Sequence, residues 1–241
     1  MDGKSKEETK KHGRVFYLWI VIFLIIGFVF FSIFVDTFSK TGGTVSLPIA
    51  FPIVAIIIFY EGVIRKKDLT DLGIKKENFW RNVGVGVLLS VFGFFAMFAL
   101  VKFAVPGLME EIAGRAETVS NFFRFSFSFP LNYILQTIYV FALLAPAEEL
   151  LFGGFIQGRL QKSMDLHLAI GIQSVLFGLT HGISAYTAGL SAIHCMACGL
   201  MGLFGGALLG VAFSKTGDNI VAPWIAHAIS DSPLALLIFG V

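Results

Sequence analysis

Residues 190–213 read LSAIHCMACGLMGLFGGALLGVAF, a run without a single Asp, Glu, Lys or Arg. A helix of a water-soluble domain keeps one polar face, and this stretch has none. At 1.5 Å per residue it is long enough to cross the roughly 30 Å of hydrocarbon in a bilayer. Gly202, Gly206 and Gly210 recur every fourth position. They therefore share one helix face, where the missing side chains let a neighbouring helix come close. Cys195 and Cys198 stand with His194 on the same run. They read as small packing residues rather than as a metal or redox pair.

Working outward, further apolar runs lie near residues 15–35, 45–64, 83–105, 131–147, 168–179 and 220–239. With 190–213 they make seven expected spans. The count becomes eight if residues 151–160 form a crossing of their own rather than prolonging the fourth. The whole-chain composition agrees: 241 residues, 56% hydrophobic, 14% charged, 27 Phe and 26 Gly, with a mean hydropathy of +0.82. Such values exclude a soluble enzyme and a disordered chain. Two Cys exclude a disulfide scaffold, and a net charge of +2 points away from nucleic acid as a partner. The expectation is an all-α polytopic membrane helical bundle of seven or eight transmembrane helices. Residues 1–14 would be a basic cytoplasmic tail and 15–241 a single membrane domain. The first run is followed by no small-residue cleavage signature, so it reads as an anchor. Residues 106–130, where Phe alternates with polar residues from 121 to 129, read as an interfacial segment.

With a cytoplasmic amino terminus and seven alternating spans, most basic residues collect on the inner side. Among them are Arg65, Lys66, Lys67, Lys75, Lys76, Arg81, Arg159, Lys162 and Lys215. That asymmetry follows the positive-inside rule. Ionisable residues inside the runs are a different matter, because each costs on the order of 2.5–3.5 kcal/mol at a helix centre on insertion scales. Before residue 145 only Glu61 and Lys102 occur, near span ends from which their stems reach the interface. After it come Glu148, Glu149, His181, His194, His227 and Asp231. Glu148 and His181 flank a polar break at Ser163 to Asp165, so an antiparallel hairpin folded there brings them to one depth. His227 and Asp231 are one helical turn apart on one face. Three helices can thus converge on a polar pocket, where a poorly solvated carboxylate beside imidazoles can act as general base toward water.

The sequence Glu148-Glu149-Leu-Leu-Phe-Gly153-Gly154-Phe155, then Phe177-Gly-Leu-Thr-His181, then Trp224-Ile-Ala-His227-Ala-Ile-Ser-Asp231 resembles the CAAX-processing and bacteriocin-processing (CPBP, or Abi) family of intramembrane endopeptidases. The resemblance covers about residues 131–241. It implies that Glu148 activates the attacking water, that His181 assists, and that His227 and Asp231 stabilise the oxyanion of a tetrahedral intermediate. It further implies a prenylated or hydrophobic peptide substrate met within the lipid bilayer, in a multi-pass protein of a prokaryotic cell membrane. Better-studied relatives remove the last three residues of a prenylated CAAX protein.

Two departures from the family pattern stand out. The Arg expected four positions after the second Glu is Gly153. Arg159 is ten positions from Glu149, too far along a helix to replace it. Glu149 is therefore either protonated or paired with a group from another helix. An ionised Asp231 offers no donor, so it is either protonated or orients His227. No cofactor is expected. A divalent metal held by the Glu and His residues is the alternative, although no His-Glu-x-x-His pattern appears. A catalytically silent binding relative and a proton-coupled transporter are the competing functions. Orientation also stays open. With the alternation above, Glu148 lies about 25 Å from the Ser163 turn, toward the far leaflet, whereas a CAAX protease opens to the cytoplasm. Either Glu148 begins a separate helix or the orientation is reversed.

Overall fold

The computed structural model describes residues 50–105 and 137–232, apart from 188, with isolated positions at 19, 22, 26, 107 and 134. Apart from those isolated positions, the expected first span, the 106–130 segment and the end of the last span lie outside the described residues. Within them every regular element is helical. Helix α1 is Ala50–Ile58 and continues as a π-helical turn, Phe59–Ile64. A 3-10 turn at Leu69–Leu72 precedes α2, Phe79–Ala104. Then follow α3, Thr137–Leu160, α4, Leu166–Thr187, α5, Ala192–Lys215, and α6, Val221–Asp231. Helices α3, α4 and α5 are each long and apolar enough to cross a membrane.

The burial pattern departs from that of a soluble domain in its outer surface and in the polar groups it encloses. Leu88 and Phe92 on α2, Leu179 and Ile183 on α4, and Met196 and Leu200 on α5 point outward, while Glu149, Gln157, Gln173, Asn82 and His227 are buried. A surface of that kind is stable only against lipid. The chain is an integral membrane protein.

Residues 151–160 prolong the fourth expected run instead of forming a crossing of their own, so Glu148 does not begin a separate helix. It lies twelve residues before Leu160 in a 24-residue element, about 18 Å from that end at 1.5 Å per residue. This is the middle of the helix. The fifth expected run also lengthens, from 168–179 to Leu166–Thr187, because His181 faces inward and does not end the helix.

Among the described residues, contacts tie Lys75 and Lys162, two of the basic residues assigned to one side, to neighbouring turns at one end of the bundle. The Lys162 ammonium is 3.5 Å from Asp71, Lys75 donates to the Gly217 carbonyl at 2.7 Å, and the Ile220 N–H donates to the Gly73 carbonyl at 3.1 Å. Glu61 sits near the end of its run, as expected, but its carboxylate turns inward. It is buried, and Arg65, Lys67 and Arg159 surround it at 3.2, 3.5 and 3.4 Å. A carboxylate held by three cations has less to gain from water than a lone one, so it stays inside and ties α1 to α3.

Helices α4 and α5 form the closest pair. A Cβ at Gly202 would stand 2.8 Å from the His181 Cβ and Cγ, and one at Gly206 would stand 3.1 Å from the Phe177 Cβ. The glycine face of α5 is therefore the wall behind His181. Gly202→Ala is expected to push that imidazole away and to lower the rate of the reaction proposed below by about tenfold or more. Gly205→Ala, which meets nothing within 4 Å, should leave the rate within about twofold. Equal rates for the two variants would remove this wall from the site.

Candidate active site

Helix α3 is unusual around its two acids. Pro146 has no N–H, and its ring clashes with the preceding turn of a regular helix. Here the helix widens instead: Val140–Leu144 is π-helical, and the Ala145 N–H reaches back to the Val140 carbonyl. After one ordinary turn, Ala145–Glu149, a second π-helical stretch runs over Leu150–Gln157. Wide turns of this type accumulate at functional sites because they change which residues share a face. Glu148 and Glu149 sit between the two.

The neighbouring acids have different surroundings. Glu149 is buried, and its Oε1 lies 2.8 Å from His227 Nδ1 with both side chains 3% exposed. Glu148 keeps 21% of its side chain open, and its Oε2 lies 3.7 Å from His227 Nε2. The same nitrogen stands 3.2 Å from Asp231 Oδ2, whose side chain is 41% exposed. Glu149 thus has a partner from another helix, one of the two states its missing Arg left open. The His227 ring nitrogens both face carboxyl groups. A carboxylate only accepts, so the Glu149 and Asp231 bonds require two protons among the three groups: an imidazolium donating to both, or a neutral ring and one protonated acid.

His181 approaches from α4. Its Nδ1 is 2.9 Å from the Phe177 carbonyl, which can only accept, so that nitrogen donates and Nε2 of the neutral ring is left as an acceptor. The Phe177 ring packs against both histidines, with its centroid 4.4 Å from that of His181 and 5.5 Å, edge-on, from that of His227. Glu148 is within electrostatic reach of Glu149, His181, His227 and Asp231. All five residues singled out in the sequence therefore converge on one place. His194 lies on α5. Among the described residues no three His, Cys, Asp or Glu side chains stand as a metal-holding group.

Residues 130–232 match the family described as Rce1-like, type II CAAX prenyl endopeptidase Rce1-like. The matched segment contains α3 to α6 and every residue of the convergence. It is a family of membrane peptidases, and the apolar helices of the chain fit the hydrolase, protease and transmembrane character read from the sequence. No curated protein and no solved structure has significant similarity to the chain.

Sequence reading assigned no role to three residues of the Rce1-like segment. Phe177 supplies both the ring that touches the two histidines and the carbonyl that fixes one of them. Pro146 widens the helix that carries the acids. Trp224 donates its indole N–H to the Phe141 carbonyl at 2.8 Å, joining α6 to α3. A signal for the last two was present: a proline within an apolar run leaves a carbonyl without its helical donor, and an indole stands three positions before a membrane histidine.

Proposed function

We propose that the chain is an intramembrane endopeptidase that hydrolyses a peptide bond of a prenylated or membrane-embedded peptide with water activated by Glu148. One observation carries this reading. Of two adjacent acids, Glu149 is sealed against His227, while Glu148 keeps an open face beside the same ring. A base must meet water, and of the two Glu148 is the one placed to do so.

Glu148 accepts a proton from water as the oxygen bonds to the scissile carbonyl carbon. His181 Nε2, left as an acceptor, orients the same water. The oxyanion accepts a hydrogen bond from the His227 Nε2–H in place of Asp231, while Glu149 holds that ring from Nδ1. Glu148 then passes its proton to the amide nitrogen as the C–N bond breaks, giving a carboxyl group and an amine. The residues supply base, orientation and oxyanion donor without a metal. The apolar outer walls of α4 and α5 suit a prenyl chain arriving from the bilayer, and the family description supports that substrate class. A prokaryotic cell membrane is the proposed location.

The test is purified protein in liposomes with a farnesylated CAAX peptide. Release of the C-terminal tripeptide is expected, unchanged by EDTA or phenanthroline. Loss under chelator with recovery on adding a divalent ion would replace the Glu148 scheme by a metal-assisted one. Gly153 favours a second reading, a silent relative that binds such peptides. Tight binding without cleavage would establish that reading and end the first.

A further inference from the structure

Position 224 has a part in this chemistry that follows from how α3 is built. In the wide turn before Pro146, each carbonyl should accept from the N–H five residues later, as Val140 does from Ala145. The carbonyl of Phe141 would then accept from residue 146, which is proline and has no N–H. Residue 145 cannot serve, because its N–H is already on Val140. A carbonyl without a main-chain donor is costly inside a membrane protein, where no bulk water replaces the bond. The Trp224 indole takes that place, donating to the Phe141 oxygen at 2.8 Å. Tyr139, Phe141, Leu144 and Trp224 pack around buried Val140, Ala145 and Ala228, closing the joint.

Trp224 and His227 are three positions apart on α6, hence on neighbouring parts of one face. On α3, Phe141 and Glu149 lie on either side of the proline turn. The two helices are thus pinned twice, by the indole on Phe141 and by the His227 ring on Glu149. A rotation or slide of α6 that broke the first bond would draw the ring off the second.

We infer that Trp224 is a positioning residue of the site: the carbonyl freed by Pro146 is a socket for its indole N–H, and this bond sets the rotation of α6 that aims His227 between the acids. This rests on the peptidase reading for its effect on rate, but the bond itself does not.

The test is a double-mutant cycle. Trp224→Phe keeps an aromatic ring and removes the donor. Pro146→Ala supplies an N–H five residues after Phe141 and makes the indole bond redundant. Cleavage kinetics and unfolding midpoints are measured for both variants, the double variant and the wild type. Trp224→Phe alone should lower kcat by about 10- to 100-fold with KM changed by less than about twofold. In the Pro146→Ala background it should lower kcat by less than about threefold. Equal losses in both backgrounds would mean that the indole matters only as bulk and would overturn the inference. So would a Trp224→Phe protein with unchanged kcat. Where no protein cleaves the peptide, the peptidase reading fails, yet the midpoints still read the bond: non-additive shifts are expected, and additive ones reject it. Should Trp224→Phe not fold, resonance Raman of the indole N–H in a Trp19→Phe, Trp80→Phe protein replaces it. A strongly hydrogen-bonded indole that weakens on Pro146→Ala is expected, and one unaffected by Pro146→Ala rejects the socket.

Discussion

Glu148→Gln is expected to lower kcat for the farnesylated peptide by about 10²- to 10⁴-fold while KM stays nearly constant. The amide has the shape of the acid and can still pack beside His227, but it cannot take a proton from water. A change confined to kcat is the signature of a group used in the transition state and not in ground-state binding. Single-turnover cleavage in liposomes reads this directly, because product release no longer contributes. If Glu148→Gln kept its rate within a factor of a few, the general base would have to be sought elsewhere, and His181 would be the next residue to test. The same substitution at position 149 should behave differently. Glu149 is closed to water and faces His227, so its loss acts through the orientation of the ring.

The second large effect concerns stability as much as rate. His227→Ala removes the partner of a carboxyl group that is only 3% exposed. Breaking a buried pair from one side costs about 3–5 kcal/mol, since the remaining group is left without compensation. In a chain of this size that corresponds to a fall of roughly 10 °C in the unfolding midpoint. His227→Gln keeps an N–H donor in the same region and should recover much of the loss in midpoint without restoring cleavage. Gly153→Arg offers an independent check. A Cβ at position 153 would stand 3.7 Å from Glu149 Oε2 and 3.6 Å from the Phe213 ring, an ordinary contact distance. An Arg growing from it is on the correct side to meet the acid. In the His227→Ala background it should raise the midpoint again while cleavage stays absent. A His227→Ala protein as stable as the wild type would show that Glu149 needs no partner and is held as a neutral acid.

The features behind these expectations are legible in the amino-acid sequence to different degrees. The membrane class is plain in residues 190–213, because length and lack of charge are properties of one stretch and need no knowledge of its neighbours. The glycine face is legible for the same reason. Its spacing is a helix period, and the structure adds that the face is pressed against His181 and Phe177. The five site residues are legible because ionisable groups are expensive in hydrocarbon, so those that remain stand out wherever they occur. Glu61 shows what that kind of reasoning leaves out. Its position near a run's end reads as the interface, yet it is buried because Arg65, Lys67 and Arg159 meet it there. Arg159 comes from a different helix, and nothing in the local pattern announces the contact.

The depth of the site escapes the local pattern for a related reason. Apolar periodicity ends the fourth run at residue 147, before the two acids, whereas the helix continues through them to Leu160. Glu149 is tolerated inside it because His227 provides a partner 78 positions along the chain. Composition, helix class and the residue types able to do chemistry were thus determined by the sequence alone, since each arises from a side chain's own transfer free energy or from neighbours three or four positions away. Which acid is sealed and which is open, what replaces the missing Arg, and how an indole completes the turn at Pro146 were decided only by tertiary structure. Those outcomes depend on hydrogen bonds a few ångströms long between helices remote in sequence, and no local period records them.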